Sequence, residues 1–318
     1  MEGSAVRARE FILEGGWAST LTQGTHITPA LVDVVMQSMP ALQQALNAFL
    51  KTKDLPPVKI GPPVGSTTYY KRDLAQNPSR EYGDIDVNFF VPRLASISDN
   101  ANEQTYSAAI KEFCDSNPNY STNNGTNVII KVGDQYVQVD FVTAYYENEQ
   151  WSRALGPEYN VKGVLSASLY SSLAEALNLS FGGRGVQVKL QNGIPVSFKQ
   201  SKDTELKTVT NNPDTWAIDI AKFLGAQTIS PRLAKYPGMG DEIKTTNTIN
   251  SIIGIAESLG KPELIEQVKA IYISKISKAV NSSKFLKANT PESKKKAEDT
   301  KALLATEAQR ILGQFDAI

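Results

Sequence analysis

The run Ile85-Asp86-Val87-Asn88-Phe89-Phe90-Val91 alternates apolar with polar side chains, and few folds accommodate such a segment except as a half-covered strand. Successive side chains of a strand point to opposite faces. Ile85, Val87 and Phe89 therefore share one face, while Asp84, Asp86 and Asn88 share the other. Downstream, Val128-Ile129-Ile130-Lys131-Val132 and Tyr136-Val137-Gln138-Val139-Asp140-Phe141-Val142 flank Gly133-Asp134-Gln135, the pattern of a hairpin. Val137, Val139 and Phe141 point one way there, Gln138 and Asp140 the other. If both apolar faces pack on the same helices, Asp84, Asp86 and Asp140 emerge together on the open face of an antiparallel sheet. Asp134 falls in the hairpin turn and reads as a turn residue.

Three carboxylates on one surface raise one another's pKa unless a cation relieves the repulsion. Mg²⁺ or Mn²⁺ suits such a site, because hard cations take oxygen ligands and bind phosphates alongside carboxylates. Two such ions can serve an attacking hydroxyl and a leaving pyrophosphate. A cysteine-based zinc site is excluded, since Cys114 is the only cysteine, and the only histidine is His26. Cys114 reads as a core residue and His26 as a structural one.

Around this segment the chain changes character. Apolar residues from Leu31 to Leu50 recur at helical spacing behind Thr28-Pro29, a capping residue followed by proline at the first helical position. Pro40 predicts a kink or break in that helix. Val58 to Ile60 reads as a short strand before the turn Gly61-Pro62-Pro63-Val64-Gly65-Ser66, and Glu103 to Cys114 as a helix. Leu165 to Leu179 is helical in period, and a second hairpin surrounds Asn192-Gly193. Beyond Trp216 nearly everything is helical. The fold class is therefore α+β followed by an all-α body: an N-terminal helical segment at 1–54, a sheet domain at 55–150, and a mostly helical domain at 151–318 with one hairpin near 186–198.

Composition narrows the class only a little. Lys plus Arg and Asp plus Glu each total 33, so net charge points to no partner. No window reaches the roughly 18 apolar residues a membrane span needs, and Met1 to Trp17 carries Arg7, Glu10 and Glu14. A soluble, unprocessed, cytoplasmic protein is the expectation.

Gly65-Ser66 gains meaning from its neighbours, because a glycine admits a phosphate close to the backbone and a serine can donate to it. Gly65-Ser66, then Gly83-Asp84-Ile85-Asp86-Val87, then Val139-Asp140-Phe141-Val142-Thr143-Ala144-Tyr145 resembles the DNA polymerase beta nucleotidyltransferase superfamily. The third block is most similar to the branch holding archaeal CCA-adding enzymes, oligoadenylate synthetases and cyclic-dinucleotide synthases, with Thr143 where proline is usual. The resemblance covers about residues 55–145. It implies a palm with helices on one face of a mixed or antiparallel sheet. It also implies that Asp84 and Asp86 bind both metal ions, that Asp140 binds the catalytic one and helps activate the acceptor, and that Gly65 and Ser66 hold the triphosphate. ATP is the default donor. The chain departs from the pattern in the 17 residues separating Ser66 from Asp84, several more than usual. The surplus falls in Lys71 to Tyr82, a lid or a simple insertion, with Asn77-Pro78-Ser79 reading as a loop.

Further candidates are Lys71, Arg72 and Lys162 as phosphate contacts. Gly182-Gly183-Arg184-Gly185 reads as a helix-to-strand turn or an anion loop. Lys269, Lys275, Lys278 and Lys284, with Lys287 and Lys294 to Lys296 beyond, form either an RNA-backbone face or the wet side of an amphipathic helix. Three functions stand open: template-independent addition of nucleotides to an RNA 3′ end, synthesis of an oligonucleotide or cyclic-nucleotide signal, and a non-catalytic nucleic-acid-binding or assembly protein on the same fold.

Overall fold

The computed structural model describes residues 27–95, 97–156, 158–159, 161, 163–198, 204–239, 244–281 and 291–317. The chain divides into two compact units, one ending at Pro157 and the other beginning at Glu158.

The first unit opens with α1 (Pro29–Thr52), whose Thr28 side chain accepts a hydrogen bond from the Leu31 amide at 3.3 Å. Pro40 does not break this helix, which runs 24 residues as one element. The proline sits on the exposed side, where the carbonyl deprived of its partner can turn to water. Val32, Val35, Met39, Leu42, Leu46 and Leu50 form the buried stripe.

Strand β1 (Lys59–Val64) is longer than expected. It continues through Pro62-Pro63, and the turn begins only at Gly65. Proline lacks an amide for the ladder, yet β1 is an edge strand whose register shifts between Ile60 and Pro63, the setting in which prolines are tolerated. After it come α2 (Tyr70–Gln76), β2 (Ile85–Val91), α3 (Asp99–Ser116), β3 (Tyr120–Ser121), β4 (Asn127–Val132), β5 (Gln135–Tyr145) and α4 (Glu149–Ala154). The sheet order is β1-β2-β5-β4-β3. It is mixed rather than antiparallel: β2 and β5 run parallel, and their outer neighbours run antiparallel to them. The connection from β2 through α3 and the β4–β5 hairpin returns the chain in the same direction, which the hairpin alone could not reveal.

Helices α1 and α3 pack on one another and against strands of the sheet. Ile85, Val87, Phe89, Val128, Val137, Val139 and Phe141 belong to the core they share, with Phe89 and Phe141 stacked at 4.4 Å. Cys114 lies in this core, and burial pushes its thiol up to about 11. The opposite face is not wholly open either. Phe90 and Ala144 are buried on it, and α4 packs against both β2 and β5 with Trp151 fully buried.

The second unit holds α5 (Gly163–Ala176), β6 (Leu179–Gly182), β7 (Gly185–Gln191), β8 (Ile194–Val196), β9 (Glu205–Thr210), α6 (Trp216–Phe223), α7 (Pro231–Lys235), α8 (Lys244–Leu259), α9 (Glu263–Val280) and α10 (Pro291–Ala317). Strands β6, β8 and β9 all pair antiparallel with β7. Asn192 and Gly193 make the expected turn, both at positive φ. Because Leu179–Gly182 is itself a strand, Gly183-Arg184 joins two strands and not a helix to a strand. Tyr170, Phe181 and Trp216 pack as an aromatic cluster beneath this sheet. Among the described residues, no helix is long and apolar enough to cross a membrane.

Candidate metal centre

Parallel pairing of β2 with β5 sets Asp86 directly beside Asp140. Asp84 stands two residues before Asp86, so the same alternation turns it to the same face. Carboxylate oxygens of Asp84, Asp86 and Asp140 lie within 4.8 Å of one another, and all three residues are half-buried. This is the triad the strand alternation predicts. A metal ion fits the donor set: three hard oxygens, converging from two adjacent strands, with negative charge to neutralise.

The triad has neighbours that shape it. Gln138 donates from Nε2 to Asp140 Oδ1 at 2.7 Å, using one acceptor site on that oxygen and fixing the carboxylate plane. Burial nonetheless pushes the Asp140 carboxyl above its ordinary range, with the Gln138 hydrogen bond opposing the shift. Asn88, next on the aspartate face, is 1% exposed, and its Nδ2 has no hydrogen-bond partner among the described residues. Gln138 was legible as a residue on the Asp140 face. Its bond to Asp140 was not, because a glutamine reaches two positions along a strand only in one of several rotamers.

Gly65 closes the site from the β1 side. Its φ is +61°, and a Cβ placed there would lie 2.4 Å from Asp86 Oδ2. A side chain here would be strained by the backbone conformation and would have to displace the Asp86 carboxylate from the space it occupies. Ser66 is exposed in the following single 3₁₀ turn, Gly65–Thr67, while Thr67 is buried and donates its hydroxyl to the Val64 carbonyl at 3.0 Å.

Residues 71–82 are not a loose loop. Most of the segment is α2 and a tight return. Asp73, fully buried, accepts from the Tyr82 hydroxyl and pairs with Arg80 at 3.0 Å, while the Tyr82 amide bonds the Ile27 carbonyl at 2.9 Å. Lys71 is exposed on α2, and the Arg72 guanidinium lies over the Tyr69 ring at 5.3 Å. Lys162, Lys284 and His26 lie outside the described residues.

The lysines of the second unit are not a uniform free stripe. Lys269 pairs with Glu266 and Asp316, each at 3.0 Å, and Lys275 pairs with Glu175 at 2.7 Å; their side chains are only 18% and 21% exposed. Lys278 is exposed near the end of α9. Asp134, in the β4–β5 turn, is exposed and outside the carboxylate cluster.

No family model, curated protein or solved structure matches the chain.

Proposed function

We propose that the chain is a metal-dependent nucleotidyltransferase on a palm of the DNA polymerase beta type, and that it adds nucleotides to an RNA 3′ end. The observation carrying this reading is the meeting of Asp84, Asp86 and Asp140 within 4.8 Å, with Gly65 backed against Asp86. Asp84 and Asp86 would hold two Mg²⁺ or Mn²⁺ ions and Asp140 one of them. When bound, the ions supply Lewis-acid stabilisation of the charge on the transferring phosphoryl group.

The chain's own residues supply the rest. Gly65 and Ser66 lie at the β1 side of the triad, where backbone and hydroxyl donors can hold the triphosphate of the donor, ATP by default. The acceptor oxygen attacks the α-phosphorus, a new oxygen–phosphorus bond forms, and the bond to the bridging oxygen breaks with pyrophosphate leaving. The hydroxyl proton passes by way of the Asp140 carboxylate to water. Gln138 keeps that carboxylate oriented, and the α1/α3 core keeps β2 and β5 rigid beneath it. Lys71 and Arg72 remain candidate phosphate contacts.

Incubating the protein with each α-labelled triphosphate and Mg²⁺, with and without single-stranded RNA, tests the reading. Lengthened RNA is the expected product. Product formed without RNA would put signal-nucleotide synthesis in its place, and no product under any condition would leave a non-catalytic nucleic-acid-binding role.

A further inference from the structure

In-line displacement requires attacking and leaving oxygens on opposite sides of the phosphorus. The Gly65 turn approaches Asp86 from the β1 side, and Asp140 is the carboxylate farther from β1 in the order β1-β2-β5-β4-β3. With the leaving group on the β1 side, the acceptor reaches the site over β5 and β4.

That part of the sheet has a definite surface. Tyr136 and Gln138 share the Asp140 face of β5. Unbroken register sets Lys131 opposite Tyr136, Ile129 opposite Gln138 and Asn127 opposite Asp140. Tyr136 is 50% exposed although Val137 and Val139 beside it are fully buried, so its exposure belongs to the face and not to a loose strand. The Lys131 ammonium stands 5.9 Å from the Tyr136 ring centre. A half-exposed ring with a cation over it, on the same strand face as the Asp140 carboxylate, has the two elements that bind single strands: a platform for a base and a charge for a phosphate.

We infer that Tyr136 and Lys131 form an acceptor subsite that stacks a base and holds a phosphate upstream of the reacting end. This inference rests on the transferase reading and narrows its acceptor to a single-stranded RNA 3′ end. Tyr136 lies four positions before Asp140, about 13 Å along a strand. At a stacked rise of about 3.4 Å per nucleotide, the ring meets a base up to about four nucleotides behind the terminal hydroxyl. A dinucleotide with stacked bases falls short of that distance; a longer stacked oligonucleotide covers it.

The probe is a fluorescently labelled ten-nucleotide oligoadenylate, titrated by anisotropy in EDTA with wild type, Tyr136→Ala, Tyr136→Phe and Lys131→Gln. Loss of the ring should weaken binding about 10-fold, and the phenylalanine variant should restore it, since stacking needs no hydroxyl. Lys131→Gln should reduce the salt slope by about 0.7. In turnover, Tyr136→Ala should raise KM for the decamer and leave KM for ATP unchanged. Wild-type affinity in Tyr136→Ala, or a dinucleotide extended as well as the decamer, would overturn the subsite. The anisotropy needs no turnover, so its failure is separable from failure of the transferase reading, which an absence of pyrophosphate release by wild type would report. Both side chains are exposed, and thermal melts matching wild type would verify that the variants fold.

Discussion

Gly65 and Asp86 are packed so closely that the backbone of one occupies the space beside the carboxylate of the other: a Cβ on Gly65 would lie 2.4 Å from Asp86 Oδ2. Gly133, in the β4–β5 turn, has nearly the same backbone angle, φ +58° against +61°, but open space around it. The pair separates backbone strain from displacement of the carboxylate. Gly65→Ala and Gly133→Ala should each cost about 1 kcal/mol in stability from the left-handed conformation. Only Gly65→Ala should also depress turnover, by about 100-fold or more, since a displacement near 1 Å at a reacting centre has that effect. Denaturant melts and steady-state rates on both variants check this; equal activity would remove the Gly65–Asp86 contact from the account.

The raised Asp140 carboxyl gives a pH dependence with a definite sign. A carboxyl held above its unfolded value of about 3.9 means that the charged form is penalised by the fold. That penalty is absent at pH below the unfolded value, grows as pH rises toward the folded one, and is complete above it. In EDTA, Asp140→Asn should therefore melt higher than wild type at pH 7 and show no such advantage at pH 3. Adding Mg²⁺ should stabilise wild type at pH 7 by mass action and leave the variant much less affected. Thermal melts across pH, with and without the ion, measure both effects.

Asp73 tests whether residues 71–82 are fixed in place. Asp73→Ala would leave the Tyr82 hydroxyl and Arg80 without their buried partner. The expected cost is about 2–3 kcal/mol, and Tyr82→Phe should cost about 1 kcal/mol. Limited proteolysis should find new cleavage between Gln76 and Tyr82 in Asp73→Ala alone. A variant as stable as wild type would contradict the anchoring of this segment by Asp73.

The aspartate face was readable because alternation along a strand is a local property: residues 84 to 87 and 136 to 142 each declare their buried side by themselves. What escaped is set by distant partners. The parallel pairing of β2 with β5 depends on where α3 and β3 return the chain, and the extent of β1 on an edge bulge that exempts Pro62 and Pro63. The Asp73–Arg80–Tyr82 cluster looks like ordinary surface charge until burial is known. Lys275 finds Glu175 a hundred positions away, so the apparent lysine stripe of α9 could not be discounted by inspecting its own helix. Helix α4, which packs against β2 and β5, is six residues long and too short to leave a periodic signal.

Nucleotidyl transfer by the three carboxylates is tested most sharply at Asp86, which lies against Gly65 and pairs directly with Asp140. The measurement is release of labelled pyrophosphate from γ-labelled ATP in the presence of single-stranded RNA and Mg²⁺, comparing wild type with Asp86→Asn. Wild type should release pyrophosphate in step with RNA extension and stop in excess EDTA, while Asp86→Asn should fall by about 1,000-fold or more without losing thermal stability. Equal rates in the two proteins, or wild-type release undiminished by EDTA, would contradict the account.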